Sequence, residues 1–209
     1  MKKNLFTIKI TIMLAILVSA CAAPIAAESP PDEPAEPAPV DQAAPQPTVE
    51  ESEEIITEAD RPDWFAQELR DVRSGAVFSI NDFNGKVVLV ETLAVWCPKC
   101  LSQQQEVARL KQLLAGRDDF VSLGIGVDPN EDESLLANHV EKHGFDWMFA
   151  VAPTAVIDEI SQLYGAQFLN PPATPMLIID QQGNQHPLPF GVKSAEDLQA
   201  ALLPFLDGG

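Results

Sequence analysis

Two cysteines three residues apart, Cys97 and Cys100, carry the most legible chemistry in this 209-residue sequence. Residues at that spacing share one face of a helix and can close into a disulfide. Pro98 marks where the helix begins, because the first helical position needs no N–H and tolerates a fixed φ. Cys97 is then the pre-helical residue, facing unpaired backbone N–H groups and the positive end of the helix dipole, which favour a thiolate over a thiol. The thiolate is the nucleophile, so the expected division of labour is attack by Cys97 and resolution by Cys100, one turn deeper. Lys99 either adds a positive charge beside the thiolate or points into water; the sequence leaves both open.

Elements must hold that pair. Asn84-Gly85 signals a turn, and residues 86–90 (Lys-Val-Val-Leu-Val) read as a strand buried on both faces. A helix follows from Pro98 towards Gly116 with Val107, Leu110 and Leu114 on one face, and residues 120–127 read as a second buried strand. Strand, helix, strand is the parallel crossover unit. The pattern then predicts a helix over 131–142 (Leu135, Leu136, Val140 inward), a strand over 147–151, and a helix over 154–164 with Val156, Ile157, Ile160 and Leu163 on one face. A strand over 176–179 comes next, then a turn at 181–184 into an extended segment at 185–190. Ser194 and Asp197 form the ends of a capping box opening a last helix with Leu198, Ala201, Leu202 and Phe205 inward. Such alternation gives an α/β sandwich. Trp64, Trp147 and Tyr164 are expected in the core or at its rim.

The formal charge is −18, from 31 acidic and 13 basic residues, which disfavours nucleic acid as a partner. It is unevenly spread. Residues 22–60 hold 11 Asp or Glu, no Lys or Arg, no aromatic residue and 8 of the 18 prolines. Such a composition cannot bury enough apolar surface to offset chain entropy and is expected to be a tether reaching on the order of 120 Å if polyproline-like. Before it, Lys2 and Lys3 precede an uncharged apolar run ending in Ser19-Ala20-Cys21, the pattern of a secretory signal peptide over 1–20. The uncharged stretch is also long enough for an uncleaved anchor. On either reading residues 61–209 form a domain held at the outer face of the cytoplasmic membrane, where disulfide chemistry is permitted.

Val18-Ser19-Ala20-Cys21 resembles the lipobox of bacterial lipoproteins, which implies lipidation of Cys21. Residues 87–100, ending Ala94-x-Trp96-Cys97-Pro98-Lys99-Cys100, resemble the strand-to-active-site segment of thioredoxin-like proteins. Ala173-Thr174-Pro175-Met176, running on to Asp180 and Gly183, is similar to that family's second signature. The resemblance implies a thioredoxin-like three-layer sandwich with a central mixed β-sheet. With an inserted helix–strand–helix between Val127 and Pro175, the closest subgroup is the membrane-attached TlpA-like thiol-disulfide oxidoreductases. It further implies that Pro175 is cis beside the cysteines, and that backbone groups of Thr174 pair with a substrate peptide. Trp96, Pro98, Lys99, Thr174 and Pro175 are accordingly the expected substrate-binding residues. Glu91 stands where the family carries a buried acid; it implies a raised carboxyl pKa and a base for Cys100. A salt-bridged or edge-exposed glutamate is the alternative.

The expected function is thus exchange of dithiol and disulfide with envelope proteins, with no cofactor and no metal. By resemblance the direction is reduction, with cytochrome c maturation as one setting and recharging by a membrane thiol carrier. An oxidase or isomerase of the same fold is the alternative in kind; a redox-inactive or metal-binding module is the alternative in class. The zinc version joins Cys97 and Cys100 to His139 and His143, but about 38 residues separate Cys100 from His139 where the finger pattern needs about 12–15. Two histidines four apart on a charged helix read as solvent-facing, and His186 has no evident partner.

Overall fold

In the computed structural model, which describes residues 61–207, the chain runs through β1 (Leu69–Arg70), β2 (Val77–Phe78), β3 (Val87–Leu93), α1 (Pro98–Leu113), β4 (Phe120–Gly126), α2 (Glu133–His143) and β5 (Met148–Val151). It continues through α3 (Thr154–Tyr164), β6 (Met176–Ile179), β7 (Gln185–Pro187) and α4 (Ala195–Leu206). The expected signal segment, Cys21 and the tether lie outside the described residues. Among those described, no helix is long and apolar enough to cross a membrane.

β1 and β2 form a small antiparallel pair, and the other five strands form one mixed sheet in the order β5-β4-β3-β6-β7. β3 runs parallel to β4, and β4 to β5; β6 is antiparallel to both β3 and β7. β3 is central and buried at all seven positions, as an unbroken apolar run requires when both sheet faces are covered. Its alternation sorts the two cores. Val88 and Val90 face a cluster with Leu123, Ile125, Val156, Ile160, Trp64 and Phe65. Val87, Leu89 and Leu93 face the other cluster, with Cys97, Cys100, Val107 and Leu110 of the α1 region and Leu198 and Leu202 of α4. Glu91, two residues from Leu89 and Leu93, therefore points to the side where the cysteines lie. The result is the three-layer α/β sandwich with a mixed central sheet, α2-β5-α3 being the inserted unit.

Gly124 on β4 is required by packing. A Cβ there would collide with the Phe149 ring and lie 2.9 Å from Leu93.

Several particulars differ from expectation. β3 extends to Leu93, three residues beyond the apolar run, because Glu91 and Thr92 keep pairing with β4. Leu135 and Leu163 are about half exposed, at the margins of the apolar stripes of α2 and α3, where Leu136, Val140, Val156 and Ile160 fill the available room. His139 is buried rather than solvent-facing; its Nε2 lies 2.8 Å from Gln104 Oε1 of α1. His186 does have a partner, Asp180 Oδ2 at 2.8 Å, and its ring packs on Phe205. The short β1-β2 pair and the helical turns at Asp63–Ala66 and Ile80–Phe83 were not legible in the sequence pattern.

Candidate redox site

Cys97 takes the position that Pro98 dictates. It caps α1 with extended backbone (φ −85°, ψ 111°), Pro98 is the first helical residue, and the Cys100 N–H donates to Cys97 Sγ at 3.3 Å. A sulfur thus satisfies one of the helix's orphan donors. The segment leading in is fixed from below, the Cys97 N–H donating to the Ala94 carbonyl at 3.1 Å. Both cysteines are free thiols and buried, Cys97 with 2% of its surface exposed. Trp96, Pro98 and Lys99 around them are exposed, Trp96 to 57%. Lys99 stands in the solvent-exposed position that the sequence left open.

Cys100 is held as a thiol. Burial, then its hydrogen bond with Cys97, then the charge of Glu91 push its proton affinity well above the usual thiol range, the Ala94 backbone opposing them. Its Sγ donates to the Pro171 carbonyl at 3.3 Å. Glu91, whose charge acts on that thiol, is itself 3% exposed; its carboxyl lies well above the ordinary value because burial disfavours the charge, with Lys193 pulling the other way. Its Oε1 is buried without a hydrogen-bond partner among the described residues, so the salt-bridged and edge-exposed alternatives do not describe it.

The second signature arrives beside the pair through β6. The Thr92 N–H donates to the Pro175 carbonyl at 3.3 Å, and the turn Pro171–Ala173 packs on α1. Two expectations need correction there. The Thr174–Pro175 bond is trans, since no peptide among the described residues is cis; the chain reverses instead by placing Thr174 in the left-handed region (φ 47°, ψ 59°). In that conformation both backbone groups of Thr174 are engaged internally. Its N–H donates to the Pro171 carbonyl at 2.8 Å, and its carbonyl accepts from Lys193 Nζ at 2.7 Å.

Four residues that the sequence reading passed over complete the site. Trp96 Nε1 donates to Asp128 Oδ2 at 2.5 Å, and the Val95 N–H donates to Glu131 Oε1 at 2.8 Å, so the loop after β4 braces the segment entering Cys97. Asp128 is held below the usual carboxylate range, first by the Asn130 N–H and then by Trp96; burial raises Glu131. Their signal was available, since loops after the carboxyl ends of parallel strands are where α/β sheets build sites. Gln103 and Lys193 gave none: one sits in a polar run Gln103-Gln104-Gln105, the other is a lone lysine after Gly191.

The Redoxin family's sequence profile matches residues 47–184, about two thirds of the chain. The chain belongs to the Redoxin family. This Redoxin-family chain has the thioredoxin-like fold, and family and paired thiols together make it a thiol-disulfide oxidoreductase. Its fold is similar to a thiol:disulfide interchange protein of the thioredoxin family from Chlorobium tepidum, at 23% identity and TM-score 0.56, covering 67% of this chain and 92% of that one. It is also similar to a secreted thiol-disulfide isomerase from Corynebacterium glutamicum, at 19% identity and TM-score 0.56, covering 73% and 90%. A putative electron transfer protein from Aquifex aeolicus gives 14% identity and TM-score 0.57, covering 68% and 94%. No curated protein matches the chain.

Proposed function

We propose that this domain reduces disulfides of proteins outside the cytoplasmic membrane. Cys97 attacks the substrate disulfide and forms a mixed disulfide. Glu91 takes the proton from Cys100, and Cys100 then displaces the substrate from Cys97, leaving an intramolecular disulfide. The observation that carries this reading is the asymmetry of the pair. Cys97 Sγ accepts a backbone N–H at a helix start, whereas Cys100 is a buried, proton-retaining thiol that burial and the charge of the buried Glu91 both push up.

The remaining parts of the proposal concern residues 1–60. Residues 1–20 are a signal peptide, Cys21 is the lipidated N-terminus, and residues 21–60 are the acidic tether from which the domain, 61–209, searches the space above the membrane. A membrane thiol carrier returns the pair to the dithiol form. Apocytochrome thiols are one substrate class consistent with such a placement. Similarity to proteins described as secreted or as interchange proteins supports the extracytoplasmic part.

Equilibrating the purified protein in glutathione buffers and trapping its thiols tests the direction. A midpoint near about −270 mV is the expected result for a reductase; one near about −120 mV assigns the protein to oxidation instead.

A further inference from the structure

Lys193 reaches this site from the segment entering α4, and both its backbone and its side chain are seated. Gln103, fully buried on α1 three residues after Cys100, donates from Nε2 to the Lys193 carbonyl at 3.1 Å and accepts from the Lys193 N–H at Oε1 at 2.7 Å. The ammonium donates to the Thr174 carbonyl at 2.7 Å and to the Gly191 carbonyl at 2.6 Å. The same network runs to the redox pair. The Pro171 carbonyl accepts from Cys100 Sγ at 3.3 Å and from the Thr174 N–H at 2.8 Å, so Thr174 alone stands between the acceptor of the thiol and the ammonium.

The bonding of this cation is incomplete. An ammonium has three N–H donors, and Lys193 spends two of them on uncharged carbonyls. Among the described residues it has no carboxylate at ion-pair distance, whereas Arg70, Arg109, Lys111 and Arg117 each have one. The residue is only partly buried, which leaves the third donor to water or to a ligand. Burial brings Lys193 down to about 8, with Glu91 raising it, so it is largely protonated at neutral pH. Lys99, exposed between the cysteines, is a second cation without a carboxylate partner among the described residues. The acids of the loop after β4 are already engaged, Asp128 by Trp96 and Glu131 by the Val95 N–H. Residues 61–209 hold 20 acidic and 10 basic side chains, so two unpaired cations at the thiols run against the sign of the domain.

Resting on the reading of Cys97 as the attacking thiol, we propose that Lys193 determines specificity: its third N–H receives a substrate carboxylate, so the preferred substrates are protein disulfides with Asp or Glu beside the half-cystine that joins Cys97. A charge-assisted N–H···O bond is shorter than a neutral one and about twice as strong. The lysine is already held by its two carbonyls, so little further rotamer freedom is lost when the carboxylate docks. Lys99 has no such seat and adds only screened attraction. The chemical step is unchanged. The Cys97 thiolate forms a bond to the substrate sulfur, the substrate S–S bond breaks, and its other half leaves as a thiolate.

The test uses the full chain carrying Cys21→Ser, fully reduced, and short peptides whose single cysteine is disulfide-linked to thionitrobenzoate. The peptides are acetylated and amidated, and differ only in carrying Glu or Gln on both sides of the cysteine, so side chains supply the one difference in carboxylate. Release of thionitrobenzoate in stopped flow reports attack by Cys97, and each rate is divided by that with dithiothreitol to remove the peptide's own reactivity. The Glu peptide is expected to react about fivefold faster than the Gln peptide, the ratio falling towards one in about 1 M salt. Lys193→Met is expected to abolish the ratio and Lys193→Arg to keep most of it, while Lys99→Gln lowers it only slightly. Comparing two peptides on one variant cancels any general loss of activity, and Lys193→Gln replaces the Met variant if circular dichroism shows that variant unfolded. Equal rates for the two peptides on the parent chain overturn the proposal, as does a ratio that survives in Lys193→Met. Absence of release from either peptide, or its survival in Cys97→Ser, overturns instead the assignment of Cys97 as the attacking thiol.

Discussion

The Cys100 N–H donates to the sulfur of Cys97, so the first turn of the helix that carries one thiol closes on the sulfur of the other. Helix capping and redox chemistry share one interaction, and the exchange of a single atom separates them. Cys97→Ser keeps a side-chain acceptor at the cap and is expected to fold with near-native stability while losing disulfide exchange. Cys97→Ala removes the acceptor and is expected to be less stable than the serine variant by about 1 kcal/mol, read from the urea midpoints.

Glu91 gives a prediction with opposite signs for activity and stability. Its side chain is buried without a hydrogen-bond partner among the described residues, so its ionised form is unfavourable in the folded state and its carboxyl value is raised. The folded protein therefore holds a proton that the unfolded chain has released. The stability this group contributes is complete below the ordinary carboxylate value, near about 4.3, and is lost as pH climbs through the raised folded value. Glu91→Gln is expected to melt above the unmodified protein at about pH 8–9, with the gap closing towards about pH 4. The same variant is expected to resolve mixed disulfides about 10²-fold more slowly, the usual scale for loss of a positioned base. Melting curves and single-turnover rates across that range check both signs.

Much of this was legible in advance. The apolar run before the cysteines, the proline after the first of them and the alternation of elements place Cys97 at a helix cap and Glu91 in a buried strand, and both are found there. Hydrophobic period and cap chemistry are local properties of the sequence, so they survive folding. What was not legible depends on partners far away in sequence. Gln103 and Gln104 look like a solvated face, yet each is buried because a partner from another element meets it, Lys193 ninety residues on and His139 on α2. Lys193 is seated only by the placement of Thr174, Gly191 and Gln103 around it. The geometry at Thr174 likewise belongs to the packed turn and is written in no spacing.

Gly124 supplies a prediction about the frame. Its Cβ position is filled by the Phe149 ring and the Leu93 side chain, the last residue of the strand that leads into the site. Gly124→Ala forces these apart, and overpacking of this kind costs about 1–3 kcal/mol. Denaturant titration is expected to show that loss with an unchanged slope, whereas an unchanged midpoint would mean that the sheet yields freely at this point.

The central claim is the division of roles between the two cysteines, and trapping tests it most directly. Cys100→Ser, expressed in the full chain, is expected to accumulate disulfide-linked adducts that disappear on reduction and whose cross-linked peptide contains Cys97; Cys97→Ser is expected to accumulate none. Adducts that form equally on Cys97→Ser, or on neither variant, would contradict the account.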